Sequence, residues 1–308
     1  MGLGRAVLLA AAKSDALNRF ATRSAVVKRA TRAFMPGESM DDGLAAGAAI
    51  AESGRAVLYT RLGEAITAGH EATEVRDHYL RLFDAIRARA LPAQVSVKPT
   101  QLGLDLSMDE CAQHCAALAD KAEATGSALW LDMEDSSYVD RTLELYRVIR
   151  GRHARAGIAL QAYLRRTPAD VVALGAIAPT IRLVKGAYAE PADVAFPRKA
   201  DTDAAYEAIA TQMLELAAQG QCTPILGTHD LPLIRRIIAK ARALSVAPGQ
   251  YEIHMLYGIR EGEQRQLTRE GEKVATLISY GEAWYRWYMR RLAERPANVG
   301  FVVRSFFG

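Results

Sequence analysis

Cysteine is scarce in this 308-residue chain: there are three, an odd number with no framework spacing. That usage fits a reducing compartment and argues against a cross-linked secreted scaffold. Long apolar runs are missing too. No stretch reaches the roughly 18 uninterrupted residues that a membrane-spanning helix needs. The charge has little bias, 39 Lys and Arg against 35 Asp and Glu, interspersed for a net +4. Such a balance argues against a nucleic-acid footprint and remains compatible with an anionic small molecule or lipid surface. Metal-ligand spacing is also lacking. Cys111, His114 and Cys115 share one helical stretch without a second ligand pair, and His254 adds no recognisable spacing. No strand precedes Gly2-Leu3-Gly4, so it is not a dinucleotide fingerprint.

The opening "MGLGRAVLLAAAKSD" has a short apolar run, soon followed by Lys13, Asp15, Arg19 and Arg23 with no cleavage pattern. It reads as an amphipathic helix and not as a signal peptide. Up to about residue 54 the texture stays helical, through "SAVVKRATRAFM" and "MDDGLAAGAAIAESG". A regular alternation then begins. Eight apolar runs follow in order: "AVLYTRLGE", "AQVSVKPT", "ALWLDMED", "GIALQAYLR", "IRLVKGAY", "TPILGTHD", "YEIHMLYG" and "VATLISYG". Amphipathic stretches such as "MDECAQHCAALADKAEA" and "VDRTLELYRVIRGRHA" separate them. A doubly wound sheet is the competitor, but eight such units in a row are the count that closes a (β/α)8 barrel. The expected organisation is a helical segment over 1–54, then a barrel over 55–308 carrying a C-terminal helix and tail.

Barrel chemistry gathers at the C-terminal ends of the strands. Here those ends carry Lys98, Asp132 with Met133, Gln161 with Arg165 and Arg166, then Lys185 to Tyr188. Thr228, His229 and Asp230 close the sixth run, Leu256 and Tyr257 the seventh. Lys98 and Asp132 end neighbouring strands, so they are expected to pair across the mouth, as a structural tie or facing a ligand. Gly186 and Ala187 leave their backbone N–H groups open to a flat or phosphorylated ligand, with Arg182 and Lys185 adding positive charge. Lys185 as a Schiff-base nucleophile is the rival assignment. In "MRRLAE", Arg290 and Glu294 share a helix face, while Arg291 is turned by about 100°. Paired guanidiniums there are a solvated face or a bidentate carboxylate grip.

Taken together, "QAYLRRT", "IRLVKGAY", "GTHD", "MLYGIR" and "YMRRLAERPAN" resemble, in order, the FAD-dependent proline dehydrogenase family, particularly its short bacterial members. The resemblance implies a distorted (β/α)8 barrel that holds FAD at the strand ends without a Rossmann domain. It places Met133, Gln161, Lys185, Gly186, Ala187, Thr228 and His229 against the cofactor. Arg182 falls near the flavin's reactive nitrogen, where it would stabilise developing negative charge. It assigns Arg290 and Arg291, helped by Lys98, to the substrate carboxylate, and Asp132 to orientation and charge balance. Tyr188 and Leu256 wall the substrate ring, and Glu294 lies near the arginines. The implied reaction is hydride transfer from L-proline, giving pyrroline-5-carboxylate, with electrons passed to a membrane quinone. A pyrroline-5-carboxylate dehydrogenase would take the product. The implied location is cytoplasmic, extending to the inner face of the membrane, which the apolar tail "VGFVVRSFFG" would assist or else leave by packing on the barrel. Leu277 departs from the pattern, because a tyrosine usually stands there and disfavours a ring hydroxyl. Proline therefore leads, with hydroxyproline or another cyclic amino acid as the alternative.

Overall fold

The computed structural model describes residues 14–294 except 25, 26, 28, 30, 64 and 65. The side chains of Asp15, Ala16, Phe20, Arg23 and residues 290–294 are outside that set. The amphipathic opening run before residue 14 and the apolar tail after residue 294 lie outside the described residues.

Eight short strands form the centre: β1 (Ala56–Arg61), β2 (Ala93–Val97), β3 (Leu129–Leu131), β4 (Ala156–Gln161), β5 (Thr180–Val184), β6 (Thr223–Gly227), β7 (Glu252–Leu256) and β8 (Val274–Tyr280). Six fall inside the eight apolar runs, and β4 and β5 start one residue ahead of theirs, at Ala156 and Thr180. All pair in parallel in sequence order, and β1 closes on β8 with Leu58 opposite Leu277. The (β/α)8 barrel expected from the alternation is the fold observed.

Side chains alternate across each strand, and the two faces have different partners. Val95, Val97, Leu129, Leu131, Ile158, Leu160, Ile181 and Leu183 belong to one large buried cluster with the surrounding helices. Burying each such side chain contributes about 1.5–3 kcal/mol. The opposite face lines the lumen, where Leu58, Trp130, Ile225 and Ala275 form a separate cluster with Ala56 and Leu277 against it.

The outer ring comprises α3 (Gly69–Ala88), α4 (Met108–Ala124), α5 (Val139–Arg150), α6 (Thr167–Leu174), α7 (Lys199–Ala218), α8 (Leu231–Ala243) and α9 (Glu261–Arg269). Local chemistry starts several of them. Ser107 accepts from the Glu110 N–H at the head of α4, and Asp230 accepts from the Leu233 N–H at the head of α8. Ahead of the barrel the described residues include α1 (Asp15–Arg23) and α2 (Met40–Ala51), the second opened by a Ser39–Asp42 capping box. After β8 comes α10 (Trp284–Glu294). A third cluster, including Ala21, Met35, Leu62, Trp284, Tyr285 and Tyr288, fastens α1 and α10 to the end of β1. No helix among the described residues is long and apolar enough to cross a membrane.

Candidate active site

The mouth is organised around a strand with almost no side chains facing inward. At mid-height β4 offers the lumen only Gly157 and Ala159, so β3 and β5 meet across it. Arg182 of β5 uses that gap. Its Nη2 donates to Ser96 Oγ at 2.8 Å and forms an ion pair with Asp132, whose Oδ1 also accepts from Ser96 Oγ. The guanidinium is buried, its Cζ lying 4.9 Å from the centre of the Trp130 ring. Burial pushes Arg182 below its ordinary pKa and Asp132 pulls it back; a guanidinium stays cationic under either influence. Asp132 thus pairs with Arg182, a partner that strand adjacency did not suggest.

Lys98 stands half-buried at the end of β2, and the carboxyl nearby that feels its charge is Glu134. Glu134 accepts from the Thr100 N–H at 3.1 Å and from Thr100 Oγ1 at 2.8 Å, stapling the β2 and β3 loops together. Burial raises its pKa, against the lowering effect of Thr100 and Lys98. Gln161, the last residue of β4, donates through Nε2 to the Glu134 carbonyl at 3.1 Å. Its Oε1 is buried and finds no hydrogen-bond partner among the described residues. Leaving such an acceptor dry costs about 1–3 kcal/mol, so a donor from a bound group suits the position. Met133 is buried in the adjoining core.

Beyond β5 the chain turns on Gly186, whose φ of +110° falls where side chains are rarely tolerated. A Cβ there would also stand 2.1 Å from the Tyr163 ring, so the turn needs glycine twice over. Ala187 and Tyr188 follow, half-buried. Lys185 is already engaged: its Nζ lies 2.5 Å from Asp203 and 2.8 Å from Asp230, tying β5 to the starts of α7 and α8. An amine donating to two carboxylates is not presented as a Schiff-base nucleophile. On the next strand end Thr228 is buried, its Oγ1 accepting from the Asp230 N–H. His229 Nε2 accepts from the Leu256 N–H at 2.9 Å, which leaves the ring proton on Nδ1. That bond locks the β6 end onto β7.

Leu256 and Leu277 pair directly in register and are both half-buried at the mouth, so an apolar wall is present. Arg165 and Arg166 do not join the site. Arg165 lies over Phe196 and donates to the Ala192 carbonyl, while Arg166 binds Asp140 and Asp170 on the outside. Arg290, Arg291 and Glu294 sit on α10 as the sequence predicts, but their side chains lie outside the described residues. Sequence reasoning overlooked Ser96, Trp130, Glu134, Asp203 and the second role of Asp230. Ser96 and Trp130 each stand two residues before a named site residue, the spacing of one strand face, and that signal was there to be used.

The chain matches the proline dehydrogenase family model over residues 44–304, from α2 past the end of α10. Proline dehydrogenase 1 of Bacillus subtilis is 33% identical over 304 residues, spanning 98% of both chains. The proline dehydrogenase of Deinococcus radiodurans is 36% identical over 281 residues, spanning 88% of both. Among solved structures, proline utilization A from Bdellovibrio bacteriovorus superposes with a TM-score of 0.81 at 22% identity. That match covers 94% of this chain and 38% of the longer one, and supports the barrel fold alone. Since the family match takes in every strand and the Bacillus relative aligns almost end to end, this chain belongs to the proline dehydrogenase family.

Proposed function

We propose that this member of the proline dehydrogenase family oxidises L-proline to pyrroline-5-carboxylate with FAD held at the barrel mouth. The observation that carries the cofactor is the buried, unpartnered Oε1 of Gln161 beside the Gly186 turn. A polar, ring-shaped group with an N–H edge fits there, since it would supply the donor that Oε1 lacks. Gln161, Gly186, Ala187, Met133, Thr228 and His229 would hold it. Lys185 would act indirectly, by keeping the Gly186 turn in place through Asp203 and Asp230. When bound, FAD supplies the two-electron acceptor that the oxidation requires.

The remaining work falls to the chain. Arg182 keeps a buried cation at the mouth, where negative charge develops during the reaction. Asp132 balances that cation and, about a quarter exposed, is available to orient the substrate's ammonium nitrogen. Lys98, Arg290 and Arg291 would grip the substrate carboxylate, with Glu294 balancing the arginines. Tyr188, Leu256 and Leu277 would wall the ring and exclude water. Arg291→Ala should raise the KM for proline at least tenfold, as expected when a charged hydrogen bond worth about 1.5–3 kcal/mol is removed. Flavin content should not change; an unchanged KM would remove Arg291 from the carboxylate grip.

Electrons would pass on to a membrane quinone, and the imine to a pyrroline-5-carboxylate dehydrogenase. Residues 1–34 carry seven Lys and Arg against one Asp, a composition that favours an anionic membrane surface. The decisive experiment is an absorbance spectrum of the purified chain before and after anaerobic L-proline. A flavin spectrum that bleaches supports the assignment. Bleaching by hydroxyproline alone would move the substrate and point to Leu277, and a chain that cannot be loaded with FAD would defeat the assignment.

A further inference from the structure

Beneath Arg182 the lumen holds a column of polar and aromatic groups to which the reaction above gives no part. Trp130 turns one face to the guanidinium and meets the His254 ring in a T-shaped contact, centroids 5.4 Å apart. Its Nε1 donates to Gln94 Oε1 at 2.5 Å. Gly157 makes the space, since a Cβ there would lie 2.6 Å from the indole. His254 is itself buried, with Nε2 3.1 Å from Glu252 Oε2. A carboxylate only accepts, so Nε2 carries the proton. Nδ1 is then a buried acceptor without a hydrogen-bond partner among the described residues. Burial lowers the pKa of this imidazole and the Arg182 cation acts the same way, against the pull of Glu252, so the ring is neutral.

A buried histidine with a dry nitrogen costs more than a leucine of similar size would. What it provides is a ring set at 72° against Trp130, and Arg182 has need of a firm shelf. Both of the hydrogen bonds described for Arg182, to Asp132 and to Ser96, leave from Nη2 alone. They hold that nitrogen and the near edge of the group, and leave its far edge to be placed by the ring it stacks on. A flat, weakly hydrated cation is oriented by stacking on an aromatic face. The indole can serve only if it cannot tilt; Gln94 holds its Nε1, the His254 ring packs against it, and Gly157 leaves it room to lie there.

We infer that His254, acting through Trp130, is a positioning residue that sets the plane of the Arg182 guanidinium and thereby the electrostatics of the mouth; this rests on the role given to Arg182 above. The test uses the full chain with 15N-labelled arginine. The Arg182 guanidinium signal, assigned by its loss in Arg182→Lys, should be displaced by the indole ring current. Trp130→Leu should abolish the displacement, His254→Leu should at least halve it, and Trp130→Phe should largely keep it. In the FAD-loaded protein, both Leu variants should make reduction of the cofactor about tenfold less favourable, equivalent to about 30 mV for a two-electron couple. The KM for proline should stay within twofold. If His254→Leu does not fold, His254→Gln, which keeps an N–H for Glu252 but lacks the ring, should move the signal in the same direction.

An Arg182 signal unmoved in the His254 variants overturns the proposal. A moved signal with an unchanged potential overturns it as well, because the orientation would then have no consequence at the mouth. Failure of the functional assignment looks different: the chain takes up no FAD. The Arg182 signal, read on the flavin-free chain, would still decide whether His254 orients the guanidinium.

Discussion

Gly186 shows how much a single residue can carry at this mouth. A side chain at its φ of +110° costs roughly 1–3 kcal/mol in backbone strain alone, before the contact with Tyr163 is counted. Gly186→Ala should therefore lower the melting temperature by about 2–5 °C, each kcal/mol being worth about 1.5 °C in a chain of this size. Adding Tyr163→Leu should relieve the contact and recover part of the loss, while the strain remains. Calorimetry of the two variants checks both parts; a Gly186→Ala melt equal to wild type would mean that the turn is not held as described. The glycine was legible in the sequence, and its reason was not. "KGAY" suggests close approach by a ligand, whereas the Tyr163 ring that fills the space comes from another strand end. Trp130 was hidden for a related reason. In "ALWLDMED" it reads as one more apolar strand residue, and only the small residues of β4 reveal that it faces a cation.

At the scale of elements, strand existence was easy to read because parallel strands buried on both faces are apolar nearly throughout, as β4 is up to its last residue, Gln161. The ties between elements were not, since each depends on side chains distant in sequence. Lys185 is the clearest case: one ammonium holds Asp203 at the start of α7 and Asp230 at the head of α8. Burial pushes both carboxyls upward, yet Lys185 and Lys199 hold them below the usual carboxylate range. Carboxylates lowered in the folded state contribute stability that is present above their unfolded pKa, near 4, and lost as pH falls through the folded value. Lys185→Met should remove much of that contribution and leave two like charges facing each other. The deficit in melting temperature relative to wild type should be largest near pH 7 and should shrink as pH falls to about 4 and below, through the folded values. Denaturation profiles across that range test it; a deficit independent of pH would show that Lys185 supports the fold by packing and not by charge.

At the scale of the whole molecule, both ends of the described chain meet on one side of the barrel. The cluster around Trp284 and Tyr288 packs α10 against α1, beside the end of β1. Arg19 of α1 and Arg286 of α10 line the same shallow groove there. Residues 1–34, with their seven basic side chains and one acid, lead into this region, while the whole chain nets only +4. The excess positive charge is thus concentrated near the N-terminus and the barrel is left with a slight negative balance. Near an anionic bilayer each basic residue contributes about 1 kcal/mol, an attraction that fades within a Debye length. The chain should therefore co-sediment with vesicles of one-third phosphatidylglycerol in phosphatidylcholine at low salt, and largely release in 0.5 M sodium chloride. Pure phosphatidylcholine vesicles should hold little of it. Replacing Arg19, Arg29 and Arg32 by glutamine should weaken sedimentation at least tenfold while proline-dependent bleaching of the flavin in solution continues. Equal binding to both kinds of vesicle, or binding indifferent to salt, would assign the contact to apolar insertion. No binding to either would leave the enzyme to reach its electron acceptor from solution.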